Sequence, residues 1–330
     1  MRRSVLQERI KTLKDQDFED LALAVFQFQA AQNSVYGQYL DLLGVKQTEV
    51  SRLSDIPFLP IQLFKRHYIQ TGDWEPQQVF SSSATTGSVS SKHWVRDPEW
   101  YRHNARKGFE HFYGALNQFT VLALLPSYLE RSGSSLIFMA EDFIQQSDPE
   151  RGGFYLYEQE ALLQQIEKVS READKRILLL GVSFALLDLA EAHPQALPPD
   201  TIVMETGGMK GRRKELTRSE LHQTIKTAFQ LADIHSEYGM TELFSQAYSQ
   251  GNGLFFPAPS MRVLTREITD PLCLRGDAKT GVLNIIDLAN LDTISFIATE
   301  DLGKVYPDGS FEVLGRLDAS EIRGCNLMVV

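Results

Sequence analysis

Three short, strongly apolar runs limit what this chain can fold into: FTVLALLP (119–126), RILLLG (176–181) and TIVMETGG (201–208). Each is of strand length, ends on glycine or proline, and is followed by helical periodicity. Strands that alternate with helices predict a parallel or mixed sheet with helices on its faces. In such sheets ligands sit off the carboxyl ends of the strands. The glycine-rich and hydroxyl-rich turns of this chain follow strands, where that rule puts a ligand.

The flanking regions read differently. Residues 17–43 keep near-helical apolar spacing through Leu21, Val25, Phe26, Tyr36, Tyr39 and Leu43, and Gly44 ends the helix. In IPFLPIQLFK (56–65), Pro57 and Pro60 force an extended approach into a short helix. A further helix is predicted over 97–113. Thr217 and Glu220 form a capping box before LHQTIKTAFQLA, and ADIHSEYGM reads as a strand entering a turn. After about Gly253 the pattern is β-rich, with Pro307-Asp308-Gly309 as a tight turn between two strands. The expected organisation is one domain of three parts: a helical packing part over 1–75, an α/β part over 76–252 and a β-rich part with a short tail over 253–330.

Bulk properties exclude several classes. The 330 residues are 43% hydrophobic with a net charge of −10, an ordinary soluble composition that argues against a general nucleic-acid binder. One basic run, Lys210, Arg212, Arg213 and Lys214, reads equally well as a phosphate pocket or a solvated loop. Two cysteines, Cys273 and Cys325, cannot make a disulfide framework and suit a reducing compartment. No signal peptide is apparent and no apolar stretch approaches the roughly 20 residues of a membrane span. A cytoplasmic protein is expected.

Three segments carry groups suited to chemistry. SSSATTGS (81–88) places six hydroxyls and one glycine on a loop, donors suited to a phosphate chain. Alone, such a run is more often a solvated turn, and it lacks the spacing of a P-loop. In YGMTE (238–242), Gly239 permits a tight turn, Tyr238 offers a face to a flat base, Thr241 a hydroxyl to a phosphate and Glu242 a hard oxygen to Mg²⁺. The plainer reading is a helix start with Thr241 as its cap. Farther on, Asp301 and Arg316 lie on two strands joined by the Pro-Asp-Gly turn. A carboxylate there could accept both hydroxyls of a ribose, or simply pair across an exposed hairpin.

The order of these segments is less readily accidental than any one of them. It resembles the adenylate-forming superfamily of acyl-CoA ligases, adenylation domains and luciferases. The wording of IPFLPIQLFK, FSSSATTGS, ETGGMKGR, HSEYGMTEL and GRLDASEIRGCNL is similar to the acyl-protein synthetase (LuxE-type) family, from about Ile56 onward. The resemblance implies an α/β fold, the large amino-terminal domain of these enzymes, without their small carboxyl-terminal domain. It implies ATP and Mg²⁺ as cofactors. Ser82, Ser83, Thr85, Thr86 and Gly87 would cover the phosphates, Gly207 and Gly208 would run along the adenine, and Tyr238 beside Gly239 would stack on it. Thr241 would meet the α-phosphate, Glu242 the metal, Asp301 the ribose, and Arg316 would support it.

The chain also departs from that pattern. Ala84 stands where the superfamily usually has glycine, the nearest lysine after the loop is Lys92, and the sequence ends 12 residues after Asp318 (330 − 318). A ligase of the full pattern continues into a domain that carries an adenylation lysine, so Lys210 or Arg212 is the expected substitute cation. Cys325 resembles the cysteine that acyl-protein synthetases acylate. It lies seven residues past Asp318 (325 − 318), within about 25 Å of it, and Arg323 could favour its thiolate. It reads equally as a small buried cysteine under an apolar tail, whereas Cys273 reads as structural. The expected activity is ATP-dependent activation of a carboxylic acid, fatty or aryl, followed by acyl transfer to a thiol, that of Cys325 included. An acyl-protein reductase or a carrier protein is the implied partner. An acyl-CoA or carrier ligase, or a non-catalytic nucleotide-binding subunit, is the alternative.

Overall fold

A computed structural model describes residues 1–82, 89–126, 133–172, 174–207, 216–276 and 278–317. Its centre is a twelve-stranded mixed sheet in the order β11-β12-β13-β14-β10-β9-β8-β7-β6-β4-β5, with β1 beside β13. Phe119–Leu124 (β4), Gly153–Tyr155 (β5), Arg176–Val182 (β6), Ile202–Thr206 (β7) and His235–Tyr238 (β8) run parallel. Their sequences are continuous apolar runs because both faces are covered: all six residues of β4 and all five of β7 are buried.

Beyond β8 the pairing turns antiparallel. Ala247–Ser249 (β9) pairs with β8, and Leu254–Pro257 (β10) pairs with β9 through its last two residues and with Phe311–Arg316 (β14) through its first two. Met261–Arg266 (β11), Gly281–Asp287 (β12) and Phe296–Val305 (β13) complete the sheet. Gly309, at φ 81°, makes the β13–β14 turn; a left-handed backbone there suits glycine. The predicted strands and the β-rich end are all present.

The helices pack on the faces of this sheet, and two local findings refine the sequence reading. The helix expected over 17–43 is two helices, Phe18–Gln32 (α2) and Ser34–Leu43 (α3), after a first helix Arg3–Lys11 (α1). Asn33 makes the break, since its extended backbone (φ −105°, ψ 110°) frees its Oδ1 to accept from Tyr36 N. Asn33 is buried and its Nδ2 donates to the Thr293 carbonyl at 2.9 Å, so the break is fastened to the sheet. Gly44, left-handed, ends α3. Cys273, expected to be structural, is exposed.

Pro98–Tyr113 (α4), capped by Asp97, lies over the middle of the sheet. The chain continues through Ser135–Ser147 (α5), Gln159–Glu172 (α6), Ser183–Ala192 (α7) and Arg218–Phe229 (α8). The last carries the predicted box, with Thr217 accepting from Glu220 N and Glu220 accepting from Thr217 N. Leu59–Pro60 (β1) runs parallel to β13, and Gln78–Ser81 (β2) with Lys92–Val95 (β3) forms a separate antiparallel pair.

Candidate active site

The parallel strands point their carboxyl ends at one edge, and β8 ends there on Tyr238. The Tyr238 hydroxyl donates to Asp301 Oδ2 at 2.7 Å, although the two residues lie 63 positions apart. Phe255 and Phe311 meet the Tyr238 ring edge-on at 5.9 and 5.5 Å. Asp301 is itself buried and sits opposite Arg316 in the β13–β14 register, with Arg316 Nε 3.6 Å from its Oδ1. Burial raises the Asp301 pKa, while the Tyr238 hydroxyl and the Arg316 charge pull it back. Tyr238 is pushed well above the usual phenol value, first by burial and then by the Asp301 charge.

Glu242 lies in the turn that follows. No helix begins at Thr241: the next regular element is β9. The turn is held from outside instead. Asn290 Nδ2 donates to the Glu242 backbone carbonyl at 2.6 Å, and Asp287 accepts from Phe244 N, Ser245 N and the Ser245 hydroxyl at 2.6–2.9 Å. His93 Nδ1 donates to the Thr241 carbonyl at 2.8 Å. Burial lowers the His93 pKa to about 4, so this ring is neutral at pH 7. These anchors hold the turn through backbone groups, and the Glu242 carboxyl itself accepts from its own N–H and from Ser91.

The Glu242 carboxyl is buried, and desolvation raises its pKa against the Ser91 hydrogen bond and the charges of Arg316 and Lys65. Ser91 in turn meets the foot of the hydroxyl loop. Its N–H donates to Ser82 Oγ at 2.9 Å, and Ser82 N donates to the Ser91 carbonyl at 3.1 Å. Both ends of the loop are therefore pinned beside Glu242. Gly207 follows β7 with φ 70°, a backbone that glycine adopts without strain, and its carbonyl accepts from the Ser183 hydroxyl at 3.0 Å.

Eight of the sequence-predicted residues thus fall within the described structure: Ser82, Gly207, Tyr238, Gly239, Thr241, Glu242, Asp301 and Arg316. All but Asp301 lie at or just beyond strand ends, and Asp301 is the sixth of the ten residues of β13. Ser83, Thr85, Thr86, Gly87, Gly208, Lys210, Arg212 and Cys325 lie outside the described residues.

The structure adds His93, Ser91, Asp287 and Asn290, which local motif reading passed over. A signal existed for the last two: polar side chains inside the apolar run GVLNIIDLAN are buried polar groups that need partners. Glu237 was also missed. It is fully buried behind Gly239, accepts from the Thr206 hydroxyl, and is raised to about 7, mainly by desolvation.

A cavity of about 350 Å³ opens at the same edge, lined by Leu124, Pro126, Leu156, Tyr157, Phe184 and Ala185 among others. It lies at the ends of β6 and β4, two and three strands along from β8.

The architecture is that of the large amino-terminal domain of adenylate-forming enzymes. No protein-family model and no curated protein sequence matches the chain. Solved structures do match in fold. A 2-hydroxyisobutyryl-CoA ligase in complex with an acyl-AMP matches with TM-score 0.65 at 13% identity, over 94% of this chain and 70% of that one. O-succinylbenzoate coenzyme A synthetase (MenE) from Bacillus subtilis, in complex with AMP, matches with TM-score 0.51 at 15% identity, over 72% of this chain and 49% of that one. ATP-bound MatB from Rhodopseudomonas palustris matches with TM-score 0.52 at 14% identity. The match spans about half of the MatB chain, 47%.

Proposed function

We propose that the chain is an acyl-adenylate-forming ligase of the acyl-protein synthetase type, which binds ATP across the strand-end edge and activates a carboxylic acid. The observation that carries this reading is the meeting of three distant segments. The loop foot at Ser82 and Ser91 meets the Glu242 carboxyl, and Glu242 lies four residues (242 − 238) past Tyr238, whose hydroxyl reaches Asp301 beside Arg316.

In this reading the ribose hydroxyls bind Asp301, with Arg316 beside it, and the adenine lies against Tyr238 and the backbone at Gly207, Gly208 and Gly239. Asp301 keeps a lone-pair side free of Tyr238, and the cost of burying its charge is offset once hydroxyl donors arrive. The N–H and hydroxyl groups of Ser82, Ser83, Thr85, Thr86 and Gly87 receive the β- and γ-phosphates, and Thr241 the α-phosphate.

Glu242 fits a divalent cation only as one ligand. Among the described residues no cluster of three or more His, Cys, Asp or Glu is set to cage a metal. Magnesium tolerates such a site because it takes most of its ligands from phosphates and water. When bound there it would supply charge neutralisation of the triphosphate.

An oxygen of the substrate carboxylate attacks the α-phosphorus; the new O–P bond forms as the bond to pyrophosphate breaks. The loop donors stabilise the charge that collects on the leaving group. The acyl group then passes to a thiolate, forming the thioester and releasing AMP. Cys325 is the proposed acceptor, with a reductase or a carrier protein downstream. The cavity at β4 and β6, mostly apolar with Gln159 and Asp188 on its wall, suits a fatty or aryl tail. A second reading, transfer to coenzyme A, is favoured by the fold match to a 2-hydroxyisobutyryl-CoA ligase bound to its acyl-AMP and CoA.

Intact-mass measurement after incubation with ATP, Mg²⁺ and a panel of acids tests these readings. An acyl increment that disappears in Cys325→Ser supports self-acylation. An ATP-dependent hydroxamate without a mass increment points to an external thiol. Failure of both, with ATP still bound, leaves a nucleotide-binding subunit and overturns the enzyme reading.

A further inference from the structure

The segment IPFLPIQLFK carries no visible chemistry as a sequence, yet the fold brings its last residue to the nucleotide edge. β1 runs parallel to β13 with Leu59 opposite Ile297 and Pro60 opposite Ala298. Continuing in that direction, the 3₁₀ turn Ile61–Lys65 follows β13 toward Asp301, and Gln62 Nε2 donates to Glu300 Oε1 at 2.7 Å. On its other side, Phe64 is buried with its ring 5.6 Å from that of His93. His93 is the residue that holds the Thr241 carbonyl. The turn is thus fastened at Glu300, next to Asp301, and at His93, next to Thr241 and Glu242. Lys65 follows directly and is exposed.

We propose that Lys65 is the cation that meets the α-phosphate of the bound nucleotide, a role that rests on the adenylate-forming reading above. Two cations stand on the elements that flank the Glu242 turn, Arg316 at the end of β14 and Lys65 at the end of the 3₁₀ turn. Arg316 is committed to carboxylates, 3.6 Å from Asp301 and 3.9 Å from Glu300, which suits the ribose side. Lys65 stands on a different element, directly after Phe64, whose ring packs on the His93 that holds Thr241. A compact ammonium suits a single phosphate oxygen and needs no second acceptor.

During adenylation it stays protonated. It neutralises the non-bridging oxygens of the α-phosphorus while the carboxylate–phosphorus bond forms and the bond to pyrophosphate breaks. No proton or electron moves through it. The charge comes from the amino-terminal part of the chain, a source that motif reading assigned only to packing.

The test compares wild type, Lys65→Ala and Lys65→Arg by calorimetric binding of AMP and of adenosine, with thermal midpoints as a control. AMP carries the α-phosphate and adenosine lacks it. The expected result is that Lys65→Ala weakens AMP about tenfold while adenosine binding and the midpoint stay unchanged, and that Lys65→Arg recovers most of the loss. If Lys65→Ala binds AMP as well as wild type does, or loses AMP and adenosine equally, the assignment of Lys65 is overturned and the nucleotide site stands. If wild type binds neither ligand, the nucleotide site falls and Lys65 falls with it.

Discussion

The Tyr238 hydroxyl reaches Asp301 at 2.7 Å and so joins the last parallel strand, β8, to β13 of the antiparallel half. Both partners are buried, and a carboxylate in that position needs donors. Tyr238→Phe keeps the ring and its edge-on neighbours Phe255 and Phe311 but removes one donor. The expected loss is about 1–3 kcal/mol of stability, the cost of an unsatisfied buried acceptor, read from denaturant unfolding at pH 7. A loss indistinguishable from zero would mean that Asp301 draws its partners from elsewhere.

The proposed role of Glu242 can be tested apart from folding. Asn290 grips its backbone carbonyl, and Asp287 fixes the residues after it. Glu242→Gln therefore leaves those anchors in place and removes a carboxyl that burial already disfavours as an anion. The thermal midpoint is expected to hold or rise. ATP–pyrophosphate exchange is expected to fall about a hundredfold, the scale of losing one preorganised charge contact, and the remaining rate to lose its steep dependence on Mg²⁺. Exchange at the wild-type rate would remove Glu242 from the proposed metal site.

What the sequence revealed follows the range of the forces involved. The buried strands at 119–124, 176–182 and 202–206, the capping box at Thr217 and Glu220, and the turn at Gly309 each depend on neighbours a few residues away, so local pattern finds them. Thr241 shows the limit. Its Thr-Glu pair suits a helix start, but Asp287, more than forty positions on, takes the N–H groups that a helix would have used. The same holds for Asn290 on Glu242 and His93 on Thr241. These anchors join β12 and β3 to the turn, and only the completed sheet brings them together. Residues 17–43 fail for a related reason: Asn33 spends its side chain on both a cap and the distant Thr293 carbonyl, and periodicity alone cannot see the second partner.

Asn33 accordingly offers a direct test of how the amino-terminal helices are attached. Its Oδ1 caps α3 at Tyr36 N, while its Nδ2 donates to Thr293 O and reaches Thr71 Oγ1 at 3.2 Å. Asn33→Ala removes a cap worth about 1 kcal/mol and one of two donors to the Thr293 carbonyl, which keeps the Thr71 hydroxyl, a loss of about 0.5–1.5 kcal/mol more. Asn33→Asp keeps the cap and loses the donor, so it is expected to recover only the contribution of the cap. Urea unfolding of the pair separates the two contributions. Equal stability of Asn33→Asp and the wild type would show that the sheet contact contributes nothing.

Glu237 makes the sharpest prediction, because its sign is opposite to that of the buried histidines His93 and His235. It is fully buried and held at about 7 by desolvation, against an ordinary value of 4.5. Between those values the unfolded chain has lost the proton and the folded one keeps it. Folding is then favoured by this group at low pH, and the contribution is lost as pH rises from about 4.5 to 7, amounting to about 3 kcal/mol over that span. His93 and His235, both lowered by burial to about 4 from 6.5, act the other way. They stay neutral in the folded state while the unfolded chain takes up protons, so stability falls as pH drops from 6.5 to 4. Two histidines outweigh one carboxyl, so these three groups together leave stability rising from about pH 4.5 to 6.5 with the slope of about one group. Glu237→Gln keeps an acceptor for the Thr206 hydroxyl and abolishes one titration. Its stability relative to wild type is expected to climb steadily from pH 4.5 to 7 and then level, when both proteins are unfolded by denaturant across that range. A difference between the two that does not change with pH would mean that the Glu237 carboxyl is already ionised throughout.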